Sequence, residues 1–222
     1  MKKFERLDEA TAPDGTVLTL YRHDGAYYIR VDGVELMSTR RHHSEDALAA
    51  IVCEPLASFP NPRVLIGGLG LGFTLRAALQ MLPATAHVTV AELVPAVIEW
   101  NRNPEYELAR ESLDDPRVDL RLADVDEILA ASPAAFDGIM LDVDNGAGAL
   151  TTAGNARLYT RAGIERASAA LRSGGRLAYW SAEPDASFEK ALRGAGLTVE
   201  TKRVRAHDSS GGWYTLFVAQ RG

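Results

Sequence analysis

The stretch PRVLIGGLGLG, residues 62–72, decides the fold of this 222-residue chain. An apolar run ends at Ile66, and a helical pattern begins near Phe73. Four glycines lie between them: Gly67, Gly68, Gly70 and Gly72. Clustered glycines let the backbone turn tightly and approach a ligand where a Cβ atom would collide. We therefore predict a buried strand, a ligand-binding loop and a helix. A turn that only packs the strand against the helix is the alternative.

Outward from this stretch, short apolar runs alternate with helical patterns. The apolar runs occupy 63–67, 87–91, 118–122, 136–141 and 175–180, and the helical patterns occupy 73–82, 95–102, 125–132, 156–172 and 185–194. Nearly continuous apolar strands that alternate with helices indicate a parallel sheet covered on both faces. The chain closes with two strands and no helix between them, at 197–205 and 212–219. We therefore predict a terminal antiparallel hairpin at one edge of the sheet.

The N-terminal part of the chain has a different pattern. Residues 16–37 are rich in β-branched and aromatic residues and are interrupted by Asp24-Gly25 and Asp32-Gly33. Asp-Gly between such runs is the strongest short signal for a β-hairpin. Because two or three strands are only marginally stable alone, this small antiparallel sheet must pack on the main domain or on a partner chain. A helical pattern follows from Ser44 to about Phe59.

Composition excludes several classes of function. Thirty acidic and twenty-four basic residues give a net charge of −6, which lacks the basic footprint of tight, nonspecific nucleic-acid binding. Cys53 is the one cysteine, and no Cys/His cluster has the spacing of a zinc site. No apolar run approaches the roughly 18 residues of a membrane span, and the first residues lack the apolar core of a signal peptide. We therefore predict a cytoplasmic protein with no metal site, no membrane span and no nucleic-acid partner.

The residue at the end of the next strand suggests a nucleoside ligand. Glu92 stands there, where an acid can accept hydrogen bonds from both hydroxyls of a ribose, although a solvated strand-end glutamate is the ordinary alternative. The loop does not match the dinucleotide fingerprint Gly-x-Gly-x-x-Gly, because Phe73 is the sixth residue from Gly68. Its Gly-x-Gly-x-Gly spacing resembles motif I of the class I S-adenosylmethionine-dependent methyltransferases instead. Further along, Ala123-Asp124 stands where the acid of that superfamily contacts the adenine amino group, and Asp142 where its catalytic or substrate-positioning residues lie.

This resemblance implies an α/β chain with a Rossmann-like class I methyltransferase fold. Such a fold has a mostly parallel seven-stranded sheet with a terminal antiparallel hairpin, here preceded by a small N-terminal β-hairpin region. We assign residues 1–40 to that region and residues 41–222 to a methyltransferase-like domain that binds S-adenosylmethionine or its decarboxylated form. The implied donor-binding residues are Gly67, Gly68, Gly70, Gly72, Glu92 and Asp124.

Within that superfamily, the chain resembles the spermidine synthases (aminopropyltransferases) from about residue 16 to 184. The similar stretches are VDGVELMSTRRHHSEDAL (31–48), PRVLIGGLGLG (62–72), DDPRVDLRLADVDEIL (114–129), FDGIMLDVDNGAG (136–148), RLYT (157–160) and YWSAEP (179–184). The resemblance implies a homodimer that acts on a small-molecule acceptor. It implies Asp142 as the catalytic base. Asp144 is the second catalytic candidate, an acid that would partly compensate for those that the family has and this chain lacks. The expected acceptor-binding residues are Asn145, Tyr159, Trp180 and Glu183.

Three departures from the family pattern bear on the reaction. Gly70 stands where the family has the aspartate that holds the aminopropyl amine, and Asn145 replaces an acid that grips the polyamine. The family's Tyr-His-Glu segment becomes residues 43–45, His-Ser-Glu. A polyamine of several charges needs paired carboxylates to offset its desolvation. We therefore predict methyl transfer from S-adenosylmethionine to a small molecule that Asp142 positions or deprotonates. The alternatives are aminopropyl transfer from decarboxylated S-adenosylmethionine and a non-catalytic nucleoside-binding or dimeric scaffold.

Overall fold

A computed structural model of the chain describes residues 3–143, 155–206 and 212–222. The described residues form two β-sheets. The first is antiparallel throughout and has the spatial order β1 (Glu5–Thr11), β2 (Val17–His23), β3 (Ala26–Val31), β4 (Val34–Ser38). This sheet precedes helix α1 (His43–Cys53), which leads into the second, larger sheet.

Seven strands form the larger sheet. They are β5 (Arg63–Gly67), β6 (His87–Glu92), β7 (Val118–Leu122), β8 (Phe136–Leu141), β9 (Leu171–Ser181), β10 (Thr198–Arg205) and β11 (Trp213–Gln220). Their spatial order is β10-β11-β9-β8-β5-β6-β7, and only β11 runs antiparallel to its neighbours. The chain runs outward from β5 to β7 on one side and from β8 to β9 on the other, so the topological switch lies between β5 and β8.

Six further helices connect these strands. They are α2 (Phe73–Met81), α3 (Pro95–Arg102), α4 (Arg110–Leu113), α5 (Val125–Ala131), α6 (Arg161–Ala170) and α7 (Ala186–Gly194), with 3₁₀ turns at Glu54–Leu56 and Asn155–Tyr159. The predicted α/β class, the mostly parallel sheet and the terminal antiparallel hairpin are confirmed. No helix in the described part of the chain is both long enough and apolar enough to cross a bilayer.

The central strands are buried because both of their faces carry core side chains. All six residues of β8 are buried, as are the last four of β5. Successive side chains of a strand point to opposite faces, and accordingly Leu65 and Ile66 belong to two different hydrophobic clusters. One cluster contains α1, α2 and the N-terminal sheet, and the other contains α5, α6 and α7. Continuous apolar runs in the sequence are therefore the signature of these strands.

The N-terminal sheet has the two predicted Asp-Gly turns. Asp24 and Gly25 have φ of 50° and 76°, and Asp32 and Gly33 have φ of 48° and 82°. Left-handed conformations at both central residues match the twist of the flanking strands, and short polar side chains tolerate them best. The sheet also contains the strand β1, which the sequence analysis did not predict. Four of its seven residues are charged, so it lacks the apolar signal of the other strands.

Helix and strand ends differ from the prediction at three places. The helix predicted to reach Phe59 ends at Cys53, and a 3₁₀ turn with Pro55 follows, because proline has no N–H to continue the helical pattern. The segment predicted as one helix over 156–172 is a 3₁₀ turn followed by α6, and its last two residues already belong to β9. The short helix α4 was not predicted.

The N-terminal sheet is tied to the larger sheet by apolar contacts and one specific hydrogen bond. Leu20 and Ile29 share a cluster with Ile66 of β5. The indole Nε1 of Trp100, which is 2% exposed on α3, donates to Oδ2 of Asp8 at 2.6 Å. This bond fixes β1 against α3. The division of the chain at residue 40 stays a prediction.

We expect Trp100→Phe to lower the free energy of unfolding by about 1–2 kcal/mol, since it removes a hydrogen bond to a carboxylate and keeps most of the apolar contact. Urea unfolding gives the energy, and amide exchange should show the loss of protection concentrated in β1. Glu9→Gln is the control, because Glu9 forms only an exposed pair with Arg6, worth about 0–1 kcal/mol. Equal effects of the two variants would contradict this role of Trp100.

Candidate functional site

A cavity of about 350 Å³ lies where the strands β5, β6 and β8 end. We call it the strand-end cavity. Its floor is formed by the glycine loop and the residues that follow these strands. Its roof is the apolar face of the N-terminal sheet, with Leu18, Ile29, Val31, Leu36 and Met37. The cavity is next to the topological switch, which is where ligands bind in open α/β sheets.

The four glycines of the loop differ in whether they line the cavity or allow close packing of the loop. Gly68 and Gly70 line the strand-end cavity, whereas Gly67 and Gly72 do not. A Cβ atom on Gly67 would lie 2.8 Å from Cδ2 of Leu141, and one on Gly72 would lie 2.2 Å from Cβ of Ala109. These two positions therefore serve close packing of the loop. The structure thus gives Gly67 and Gly72 a packing role, and the contact predicted between these residues and the S-adenosylmethionine-type donor stays a prediction.

Gly68 brings the loop against the end of β8. Its φ is 89°, and a Cβ atom here would lie 2.3 Å from the carbonyl oxygen of Asp142. At Gly70, where φ is 52°, a Cβ atom would lie 2.8 Å from the end of the Met37 side chain. Met37 thus occupies the space that a side chain at position 70 would need, and this side of the cavity is apolar.

Glu92 is held rigidly at the end of β6. The side chain is buried, with its Oε2 accepting from the N–H of Leu69 at 2.9 Å and its Oε1 accepting from the N–H of Val94 at 2.9 Å. Burial raises the pKa of Glu92, and the backbone N–H donors oppose that shift. Its two oxygens thus accept from backbone N–H groups of the glycine loop and of the segment that follows β6. Two oxygens at the cavity wall suit a pair of adjacent hydroxyls, such as those of a ribose.

Asp124 caps helix α5 and lines the same cavity. Its Oδ1 accepts from the N–H of Asp126 at 2.8 Å, and its Oδ2 accepts from Arg157. Arg157 also lies 3.6 Å from Asp126, which forms a bidentate pair with Arg166 at 2.8 Å. Sequence analysis did not single out Arg157, because its partner stands 33 positions earlier in the chain.

Asp142 follows β8 and lines the same cavity as Glu92 and Asp124. The hydroxyl of Thr74, in the first turn of α2, donates to its Oδ2 at 2.8 Å. Burial raises the pKa of Asp142 to about 6, although the bond from Thr74 opposes the shift. The carboxylate is thus ionised at neutral pH and is a stronger base than an ordinary aspartate.

A second carboxylate, that of Glu45, lies near Asp142. It belongs to the first turn of α1 and accepts from the hydroxyl of Ser44. Burial is the main reason why the pKa of Glu45 is raised to about 7, and the charge of Asp142 adds to the shift. Residues 43–45 stand where the family has its Tyr-His-Glu segment, but nothing in the sequence pattern indicates that Glu45 is near Asp142.

The remaining predicted acceptor residues do not line the strand-end cavity. Tyr159 packs on Tyr179 and Phe188, with ring centroids 5.7 and 5.3 Å away, in the cluster on the opposite face of the sheet. Aromatic packing holds the ring there, and its predicted role as an acceptor contact stays a prediction. The backbone carbonyl of Glu183 accepts from Ser181 at 2.7 Å. Neither Tyr159 nor Glu183 borders the cavity.

Trp180 lies on the α1 side of the larger sheet, where its ring packs 4.7 Å from that of Tyr214. Its indole Nε1 is buried and has no hydrogen-bond partner among the described residues. Asp144 and Asn145, the other two predicted residues, lie outside the described residues.

The strand-end cavity is acidic. Asp14, Glu92, Asp124 and Asp142 line it, and Arg157 is the single cation among the described residues that do so. That cation is already paired with Asp124. Within residues 3–143, 155–206 and 212–222, no three metal-ligating side chains come together. The cavity is therefore suited to a ligand that brings hydroxyl and amino donors and a positive charge.

Known proteins resemble this chain in both sequence and fold. A polyamine aminopropyltransferase of Shouchella clausii is 33% identical over 122 residues, which are 54% of this chain and 42% of that protein. One of Bacillus subtilis is 33% identical over 113 residues, which are 50% of this chain and 40% of that protein. The crystal structure of spermidine synthase from Thermotoga maritima matches with a TM-score of 0.77 at 20% identity, over 98% of this chain and 73% of that one. No family model matches the chain.

These matches confirm the resemblance to the spermidine synthases. The structural match shows that the chain has the class I methyltransferase-like fold, including the N-terminal antiparallel sheet. The chain spans less than half the length of the two curated relatives that it matches.

We expect Gly68→Ala to destabilise the protein and to abolish nucleoside binding, because its Cβ atom would meet the Asp142 carbonyl. Gly174→Ala is the matched control: its φ is 77°, but nothing lies within 4 Å of the added atom. The control should cost about 1–2 kcal/mol through backbone strain alone. Gly68→Ala should cost about 1–3 kcal/mol more, since the overpacked loop must move. Thermal unfolding and calorimetric titration with methylthioadenosine measure the two effects, and equal stability losses would contradict the steric argument.

Proposed function

We propose that this chain transfers an aminopropyl group from decarboxylated S-adenosylmethionine to a small amine acceptor. The observation that carries the proposal is the charge of the strand-end cavity. Four carboxylates line it, and the single described cation there, Arg157, is paired with Asp124. The carboxylate of S-adenosylmethionine would find no free cation among these residues, whereas the ammonium of the decarboxylated donor suits them.

The residues of the cavity fit the nucleoside part of such a donor. Glu92, which lines the cavity at the end of β6, would accept from the two ribose hydroxyls. Asp124 would accept from the adenine amino group in exchange for part of its contact with Arg157. The close approach of Gly68 to β8 would place the donor's sulfur end beside Asp142.

Asp142 would act as the base. A sulfonium donor supplies an activated carbon, which the acceptor nitrogen attacks as the C–S bond breaks and leaves its electron pair on sulfur. Before that attack, the Asp142 carboxylate accepts a proton from the acceptor's ammonium and so frees the nitrogen lone pair. Thr74 holds Oδ2, which leaves Oδ1 for the acceptor. The orienting role of the whole site supplies about 7–11 kcal/mol in reactions of this kind.

The comparisons favour aminopropyl transfer over the methyl transfer that the sequence analysis preferred. Both curated relatives described above are polyamine aminopropyltransferases. The preference for methyl transfer depended on Gly70 and Asn145, and the four carboxylates that line the cavity weaken it, because they suit a cationic donor without a carboxylate. The homodimer and the cytoplasmic location are further proposals, which the resemblance and the composition support.

We expect the protein to bind methylthioadenosine at least tenfold more tightly than S-adenosylhomocysteine, since the second ligand would bring a carboxylate into an acidic cavity. Isothermal titration calorimetry measures both affinities. Glu92→Gln should weaken both ligands alike, because its amide would place a donor against the N–H of Leu69 or Val94. Tighter binding of S-adenosylhomocysteine would favour methyl transfer, and binding of neither ligand would favour a scaffold without catalysis.

We expect Asp142→Asn to lower kcat by about 10²- to 10⁴-fold with decarboxylated S-adenosylmethionine and a diamine, while methylthioadenosine still binds. Release of methylthioadenosine is the measurement. Asp119→Asn is the control, because Asp119 lies on the exposed strand β7 and pairs only with Arg121. An unchanged kcat in Asp142→Asn would remove Asp142 from the reaction.

A further inference from the structure

We propose that a second cavity, next to the glycine loop, binds a small zwitterion: an α-amino acid with an apolar side chain. This second cavity has a volume of about 160 Å³, less than half that of the strand-end cavity, which suits a ligand smaller than a nucleoside. None of the described residues that line it also lines the strand-end cavity. The inference therefore goes beyond the proposed function and does not depend on it.

Three segments and the glycine loop form the walls of the second cavity. The segments are the start of α1, the first turn of α2 and residues 107–112. The glycine loop contributes to both cavities, because Gly68 and Gly70 line the strand-end cavity whereas Leu71 and Gly72 line the second one. The second cavity is thus a separate place in the fold, formed by residues for which the proposed reaction has no use.

Asn101 ties two of these walls together. Its side chain is fully buried, with Nδ2 donating to the carbonyl of Gly70 at 2.8 Å and Oδ1 accepting from the N–H of Ala109 at 3.3 Å. The glycine loop and the segment before α4 are therefore held in place before any ligand arrives. A preformed cavity reduces the cost of ordering side chains and loops on binding.

Arg76 is the arginine of the second cavity. Its guanidinium lies over the ring of Phe73, 4.8 Å from the centroid. Stacking occupies the face of the guanidinium and leaves the N–H donors at its edge available. Among the described residues, the one carboxylate within 4 Å is that of Asp46, at 3.9 Å, and the Arg76 side chain forms no hydrogen bond. A ligand carboxylate can therefore accept two of its N–H groups in parallel, which is the geometry that a guanidinium favours.

Two hydroxyl groups add to this side of the cavity. The Oγ1 of Thr39 accepts from the N–H of Tyr27 at 3.0 Å and keeps its O–H to donate. The hydroxyl of Ser112 also lines the cavity and forms no hydrogen bond with another described residue. Neutral donors next to an arginine suit the oxygens of a carboxylate.

Glu107 is the single acid among the described residues that line the second cavity. It is exposed, and it forms neither a hydrogen bond through its side chain nor an ion pair within the described part of the chain. Arg76 and Glu107 thus present opposite charges to one cavity, and a ligand complementary to both is a zwitterion. Leu71 and Leu108 add apolar surface for a side chain. These features together describe an α-amino acid with an apolar side chain.

The test titrates L-leucine into the wild type and into variants by isothermal titration calorimetry. We expect saturable binding to the wild type and at least tenfold weaker binding to Arg76→Gln, because the leucine carboxylate loses its charged partner. Arg110→Gln is the matched control: Arg110 is also about half exposed and 3.9 Å from an acid, Asp114, but it does not line the cavity. Equal affinities of the two variants, or no saturable binding to the wild type at millimolar leucine, would overturn the inference.

Modified ligands test each charge separately. Leucinamide lacks the carboxylate and N-acetylleucine lacks the ammonium, and we expect each to bind at least tenfold more weakly than leucine. Glu107→Gln should weaken leucine but leave N-acetylleucine unchanged, whereas Glu105→Gln, at an exposed position outside the cavity, should affect neither. N-acetylleucine that binds as tightly as leucine would overturn the zwitterion.

Methylthioadenosine separates this inference from the proposed function. Arg76→Gln should bind methylthioadenosine like the wild type, since Arg76 does not line the strand-end cavity. Leucine that binds to a protein with no affinity for methylthioadenosine would leave the second cavity standing while the proposed function fails. Mutually exclusive binding of leucine and methylthioadenosine would place both in one cavity and overturn the inference.

Discussion

The closeness of Gly68 to the carbonyl of Asp142 is the constraint on which the rest of the site depends. Because Gly68 has no Cβ atom, the loop after β5 can come close to the chain after β8, and the two converge at the topological switch. That convergence puts the glycine loop and the Asp142 carboxylate at one cavity, although 74 positions separate Gly68 from Asp142 in the sequence. The backbone N–H of Asp142 bonds the carbonyl of Gly67 at 2.9 Å and locks the two strand ends together.

Three strand-end acids share this cavity but have different surroundings, and those surroundings separate their roles. Glu92 is fixed by backbone N–H groups, which suits a carboxylate that stays in place and accepts hydroxyl donors. Asp124 accepts one hydrogen bond from the N–H of Asp126, which caps helix α5, and another from Arg157. Asp142 has one side-chain donor and a second acid nearby, so it is the acid whose protonation state can change near neutral pH. In the proposed function, the same carboxylate group would thus serve binding, recognition or proton transfer according to its environment.

Sequence reasoning located the larger sheet well because burial on both faces leaves continuous apolar runs, and it found the hairpins because Asp-Gly turns demand left-handed backbone. It placed Gly68, Glu92, Asp124 and Asp142 at one site because carboxyl ends of parallel strands share an edge. It could not find Arg157 or Glu45, since their partners are brought to them only by the tertiary fold. It could not show that Tyr159 packs on Tyr179 and Phe188, because an aromatic residue near a motif packs in a core as readily as it lines a cavity.

The strand that escaped sequence analysis protects the chain from unwanted self-assembly. β1 is an edge of the N-terminal sheet, and its outer backbone groups would accept another strand if the side chains allowed it. Three acids and one arginine among its seven residues, together with a bulge between Arg6 and Asp8, make continued pairing unfavourable. The charged residues that leave β1 without a hydrophobic pattern in the sequence thus also oppose open-ended aggregation. Two copies of the chain that associate should therefore meet through side-chain surfaces and not by joining this edge.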